Sequence, residues 1–205
     1  MMKQVFLGLL LVISVLSQNA FALGDVAAGK IKAAVCGGCH GLDGNSLVAT
    51  YPKLAGQNER YIVEQLAAFK ANVKRKNTLM LGMATPLSKQ DAANLGAYFQ
   101  SQKIKSTAPF DAAKIARGRE LYNGGDLQKH IPACKACHGP TGAGNAGSGY
   151  PQLTGQYVPY VVAQLKAFKA GTRTNDVNKV MRVVVDKLSD DDIQSLANYI
   201  ASLKQ

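Results

Sequence analysis

Acidic residues, cysteine and histidine are all scarce in this 205-residue chain. Thirteen Asp and Glu stand against 24 Lys and Arg, with four Cys and three His. Each scarcity narrows the reading. No segment alternates apolar and polar residues as a strand would, so a sheet-based fold is not expected. Beyond the N-terminus no stretch is apolar enough to cross a bilayer. There is no nucleic-acid recognition motif and no Lys/Arg cluster interleaved with aromatics, so the formal charge of +11 does not point to DNA or RNA. It points instead to an acidic partner, to an anionic membrane face, or simply to a generally basic exported protein.

What is present is concentrated. All four cysteines and two of the three histidines fall in two copies of C-x-x-C-H, CGGCH at Cys36, Cys39 and His40 and CKACH at Cys134, Cys137 and His138. This spacing is the attachment signature of c-type haem. Two thiols one helical turn apart are placed to form thioethers with the haem vinyl groups, and the adjacent imidazole is placed to ligate iron. A disulfide, a thioredoxin-like pair and a zinc site are the competing readings. None explains a His directly after the second Cys in both copies, and the βαβ pattern of a thioredoxin is missing. Two covalently bound haem c groups are therefore expected.

The N-terminus favours export. Lys3 precedes an apolar run over 5–16, and Ala20-Phe21-Ala22 offers a small-x-small cleavage pattern. Residues 1–22 are read as a signal peptide, cleaved after Ala22.

The haem motifs open a longer internal repeat. YPKLAGQNERYIVEQLAAFKA is answered by YPQLTGQYVPYVVAQLKAFKA, and PLSKQDAANLGAYFQSQK by KLSDDDIQSLANYIASLK. A repeat of this length implies duplicated domains rather than a solenoid. The expected division is domain 1 over 23–103, a linker at 104–110 containing Pro109, and domain 2 over 111–205. Each unit is small for an independent core, and a covalently held haem would supply an apolar centre. Ile62, Leu66 and Phe69, like Val161, Leu165 and Phe168, define one apolar helical face. Ser88 and Ser189, each with Asp three residues on, predict capping boxes for two closing helices. Gly-, Asn- and Ser-rich segments after each His predict loops.

An electron-carrying haem iron usually has both axial positions filled, and a His/Met pair raises its potential. After cleavage the available methionines are Met80, Met83 and Met181. Met80 and Met181 each lie seven residues before the Leu of the Leu-Ser cap, whereas Met83 aligns with Val184. Met80 and Met181 are the expected distal ligands, with Met83 as packing. His130 has no counterpart His in domain 1, where position counting aligns it with Lys32, and is expected at the surface or an interface. Pro52 and Pro151 lie twelve and thirteen residues after the motif histidines in matched Y-P-x-L-x-G-Q segments. They are candidates to hold the second ring nitrogen through a carbonyl, or simple turn residues.

Twin C-x-x-C-H units, each followed by Y-P-x-L-x-G-Q, a Tyr/Gln/Phe helix, a Met and an LS-capped helix, resemble the dihaem cytochrome c4 family over essentially the whole mature chain. The resemblance implies an all-α fold of two tandem class I cytochrome c domains related by a pseudo-two-fold axis, one haem c in each. It implies facing haems with their propionates close together, and proximal histidines supported by the carbonyls of Pro52 and Pro151. It further implies a periplasmic carrier of single electrons in a respiratory chain, passing them towards a terminal oxidase, with loose membrane association in some members. Expected partners are redox proteins with acidic docking surfaces, such as an oxidase, a bc1-type complex or a dehydrogenase. No nucleic acid and no small-molecule substrate is expected. An electron-transfer subunit of a dehydrogenase is the alternative. A peroxidase-type or thiosulfate-oxidising enzyme is disfavoured because both domains offer a Met and no extra Cys exists to ligate iron.

Overall fold

The computed structural model describes residues 24–204. The expected signal peptide lies outside them. Ten helices follow in order: α1 (Val26–Lys32), α2 (Gly37–His40), α3 (Glu59–Ala71), α4 (Thr78–Ala84) and α5 (Lys89–Ser101), then α6 (Ile115–Gly124), α7 (Lys135–His138), α8 (Val158–Lys169), α9 (Val180–Asp186) and α10 (Asp190–Ser202). Among the described residues β structure is limited to isolated bridges. The second five helices repeat the first five, and the segment between α5 and the short 3-10 turn at Ala112–Lys114 has no helix.

The closing helices form as their sequence dictates. Ser88 and Ser189 accept from the N–H of Asp91 and Asp192 at 3.0 Å, and each Asp carboxylate accepts back from the Ser N–H, completing both capping boxes. Each closing helix packs on the opening helix of its own domain through a glycine. A Cβ on Gly29 of α1 would lie 2.0 Å from Asn94 O, and one on Gly118 of α6 would lie 2.1 Å from Ser195 O, so only a bare backbone fits these crossings. Domain 1 centres on Ala33, Ile62, Leu95, Tyr98 and Phe99. Domain 2 has the larger core, around Leu121, Tyr122, Val185, Ile193, Leu196 and Ile200.

These glycine crossings correct one pairing. Gly29 lies seven residues before Cys36, whereas Gly118 lies sixteen before Cys134. Domain 2 therefore carries extra chain between its opening helix and its haem motif, closed by an Asp126–Ile131 bridge. His130 sits on that excursion, exposed and with φ 55°, and is not the counterpart of Lys32, which lies on α1.

The two halves meet through reciprocal contacts of repeat-equivalent residues. Gln57 Nε2 donates to Gln152 O at 3.0 Å, and Gln156 Nε2 donates to Lys53 O at 3.0 Å. Arg75 donates to Tyr160 Oη and Arg173 to Tyr61 Oη, both at 3.0 Å. Exchange of the same bond between equivalent positions is what a two-fold interface produces. Tyr157 adds an asymmetric contact, donating to Ser46 O at 2.5 Å and packing with Ala108 and Ala201.

Candidate haem sites

Each C-x-x-C-H forms one short helix, and its His is driven inward. His40 and His138 are 8% and 6% exposed, and Gly41 and Gly139 end the helices at positive φ. His40 Nδ1 meets Pro52 O at 2.9 Å, and His138 Nδ1 meets Pro151 O at 3.0 Å. A carbonyl can only accept, so Nδ1 carries the proton and the neutral ring presents the Nε2 lone pair. Burial lowers the pKa of both imidazoles, partly offset by these carbonyls, which keeps them neutral at physiological pH. Tyr51 and Tyr150 tilt against the same rings, with centroids 6.2 and 6.3 Å away.

The cysteines are unpaired. Cys36 and Cys134 pack against the two cores. Burial raises the Cys36 thiol and pushes Cys134 up to about 11, the reverse of the depressed value an exchange-active thiol needs. Among the described residues no three His, Cys, Asp or Glu side chains converge as a metal site.

Met80 and Met181 occupy matched places near the starts of α4 and α9, and both are half-buried. Met181 packs against the domain 2 core. Met83 is 41% exposed, and Val184 at its repeat position is half-buried. An upstream side chain fixes each Met helix: Asn77 Oδ1 accepts from Met80 N at 2.9 Å, and Asp176 accepts from Arg182 N at 3.0 Å and Arg182 Nε at 2.8 Å.

Between the domains lies a feature the motifs do not announce. Arg75 and Arg173, 7% and 6% exposed, face each other across an antiparallel bridge. Each stacks on a Phe of its own domain, Phe69 at 4.3 Å and Phe168 at 4.4 Å. Both donate to Gln65 and Gln164 as well as to the tyrosines. No carboxylate among the described residues pairs with either guanidinium. Two like charges this buried call for an anion. The residues thus fit haem c on three counts: paired Cys, a neutral His held by its far nitrogen, and buried cations suited to acidic side groups. Tyr51, Tyr150, Gln57 and Gln156 lie inside the Y-P-x-L-x-G-Q repeats, so the signal for them was present. Nothing in the sequence marked the arginines as partners.

Fold and site together define a two-domain c-type cytochrome. The family model described as cytochrome c matches residues 26–103 and again 115–204. A cytochrome c4 of Pseudomonas aeruginosa is 46% identical over 98% of this chain and 100% of that protein. The crystal structure of reduced recombinant cytochrome c4 from Pseudomonas stutzeri superimposes with a TM-score of 0.85 at 46% identity, covering 88% of this chain and 100% of that one. A thiosulfate dehydrogenase electron acceptor of Thiomonas intermedia (strain K12) is 40% identical over 86% of this chain and 82% of that protein. The chain belongs to the cytochrome c4 family: an electron-transfer protein whose two cytochrome c domains bind two covalent haem c groups.

Proposed function

We propose that the protein is a periplasmic shuttle of single electrons in a respiratory chain, delivering to a terminal oxidase. We assign the thioethers to Cys36 and Cys39 in a domain spanning 23–103, and to Cys134 and Cys137 in a domain spanning 111–205, with 104–110 as linker. His40 and Met80 would ligate one iron and His138 and Met181 the other, with Pro52 and Pro151 supporting the histidines. The observation that carries this reading is the duplicated His–Pro clamp, each copy beside its own Cys pair and with a half-buried Met on a matched helix. When bound, haem supplies a ferric/ferrous couple. The chain's part is to hold a neutral imidazole in one orientation, exclude water from it, and offer a Met so that no position stays open to substrate. Arg75 and Arg173 would neutralise propionates between the domains. The excess of basic residues supports docking to acidic redox partners and to an anionic membrane surface.

A second reading is favoured by the relatives described as thiosulfate dehydrogenase electron acceptors. There the same chemistry would serve a dehydrogenase as its acceptor. Reduction kinetics separate the two. The shuttle reading expects electrons from a bc1-type complex to be passed on to an oxidase in washed membranes. Reduction only by a thiosulfate dehydrogenase would establish the second reading in its place. Rapid cyanide or CO binding by the isolated protein would count against a closed, Met-ligated pair of haems.

A further inference from the structure

Each candidate axial histidine is tied to a side chain of the opposite domain through a single peptide group. The peptide joining Pro52 to Lys53 is engaged at both ends. Its carbonyl accepts from His40 Nδ1 at 2.9 Å, and its N–H donates to Gln156 Oε1 at 3.0 Å. The peptide joining Pro151 to Gln152 repeats this with the domains exchanged: its carbonyl meets His138 Nδ1 at 3.0 Å, and its N–H donates to Gln57 Oε1 at 2.9 Å. The amide orientation is set by chemistry. Each Gln oxygen also accepts from the next backbone N–H, Asn58 onto Gln57 at 3.0 Å and Tyr157 onto Gln156 at 3.1 Å. A flipped amide would set an NH2 group against two donors. Both glutamines are buried, at 6% and 5% exposure.

Hydrogen bonds in series polarise one another, more strongly where water is excluded. A Gln oxygen on the peptide N–H increases negative charge on the peptide carbonyl. That carbonyl then draws harder on the imidazole Nδ1–H, and the ring becomes a more basic ligand. A more basic ligand favours ferric over ferrous iron. We propose that Gln57 and Gln156 are positioning residues that tune the axial histidine of the opposite domain, so that each domain sets part of the other's reduction potential. This rests on His40 and His138 being the iron ligands.

The test uses the intact holoprotein. Gln156→Leu removes the acceptor and should raise the potential of the His40 haem, with a smaller change at the His138 haem; Gln57→Leu should do the reverse. Gln156→Glu keeps an acceptor oxygen and makes it more negative, so it should lower the potential of the His40 haem. With only three histidines in the chain, a 15N-histidine spectrum of the reduced protein resolves each ring. The Nδ1 signal of His40 should move in Gln156→Leu, and that of His138 in Gln57→Leu. Loosening of the interface alone would shift the Leu and Glu variants in the same direction, or both haems equally, and would overturn the proposal. So would movement of the histidine in the substituted domain, or no movement of either ring. If His40 and His138 were not ligands, the unsubstituted protein would already lack iron-bound histidine signals, a failure distinguishable from failure of the relay.

Discussion

Asp191 and its neighbours open α10 with three consecutive acidic residues, but only Asp192 is buried, and replacing it with Asn gives a graded test of the domain 2 fold. Its side chain is 6% exposed and accepts from Ser189 N and Oγ, Arg117 Nε and Lys129 Nζ at 2.9–3.2 Å. Burial alone would raise this carboxyl, but the Ser189, Arg117 and Lys129 bonds outweigh it and hold the pKa at about 2. Against an ordinary carboxylate near 4, that difference corresponds to ~2.5 kcal/mol favouring the folded state at neutral pH. Breaking a fully buried pair costs about 3–5 kcal/mol. Here Arg117 keeps Asp126, and both cations are partly exposed and can rehydrate. Solvent screening therefore places the loss below that range, at ~2 kcal/mol. Guanidinium unfolding of the holoprotein should show the midpoint of the domain 2 transition falling by roughly 0.5–1 M at pH 7. The folded pKa is depressed, so the contribution is present above the unfolded value and disappears as pH drops from about 5 towards 2. Wild type and Asp192→Asn should converge over that window. Equal stability at pH 7, or a difference that survives at pH 2, would refute the reasoning. The equivalent Asp91 is more exposed, with Lys32 as its single cation, and Asp91→Asn should cost clearly less.

Met80→Leu and Met181→Leu should each remove about half of the ferric absorption band near 695 nm that reports Met–iron ligation and lower one potential, while the exposed Met83→Leu leaves band and potentials unchanged. Loss of the band in Met83→Leu would reverse the assignment in domain 1. Arg75→Gln or Arg173→Gln should lower both potentials in a spectroelectrochemical titration, because either guanidinium shares Gln65 and Gln164 with the other and its loss removes positive charge from between the domains. Unmoved potentials would show that the pair only holds the domains together. Gly118→Ala should destabilise domain 2 by several kcal/mol in the same unfolding assay, since its Cβ would meet the Ser195 carbonyl of α10. Wild-type stability would mean the helices part without cost.

Relatives described as cytochrome c4 and as a thiosulfate dehydrogenase electron acceptor are 46% and 40% identical to this chain. The clamps that hold His40 and His138 are internal and nearly identical in the two domains.

The one-dimensional pattern determined much about this protein. C-x-x-C-H placed thiols and imidazole within one helical turn, where spacing alone fixes their relation. The repeat identified both capping boxes, because a Ser and an Asp three residues on need only local backbone to find each other. It also ranked Met80 above Met83 by their distance from the Leu-Ser cap. Tertiary structure decided what depends on residues far apart in the chain. Position counting paired His130 with Lys32 because it could not see that the Gly29 and Gly118 crossings set the register of the opening helices. Arg75 and Arg173 read as two more basic residues until docking brought them together with no carboxylate among the described residues to pair with. Gln57 and Gln156 stood in plain view in the matched motif. Their partners, 103 residues away for the Lys53–Gln156 pair, exist only once the two halves close on each other and water is excluded from the bonds between them.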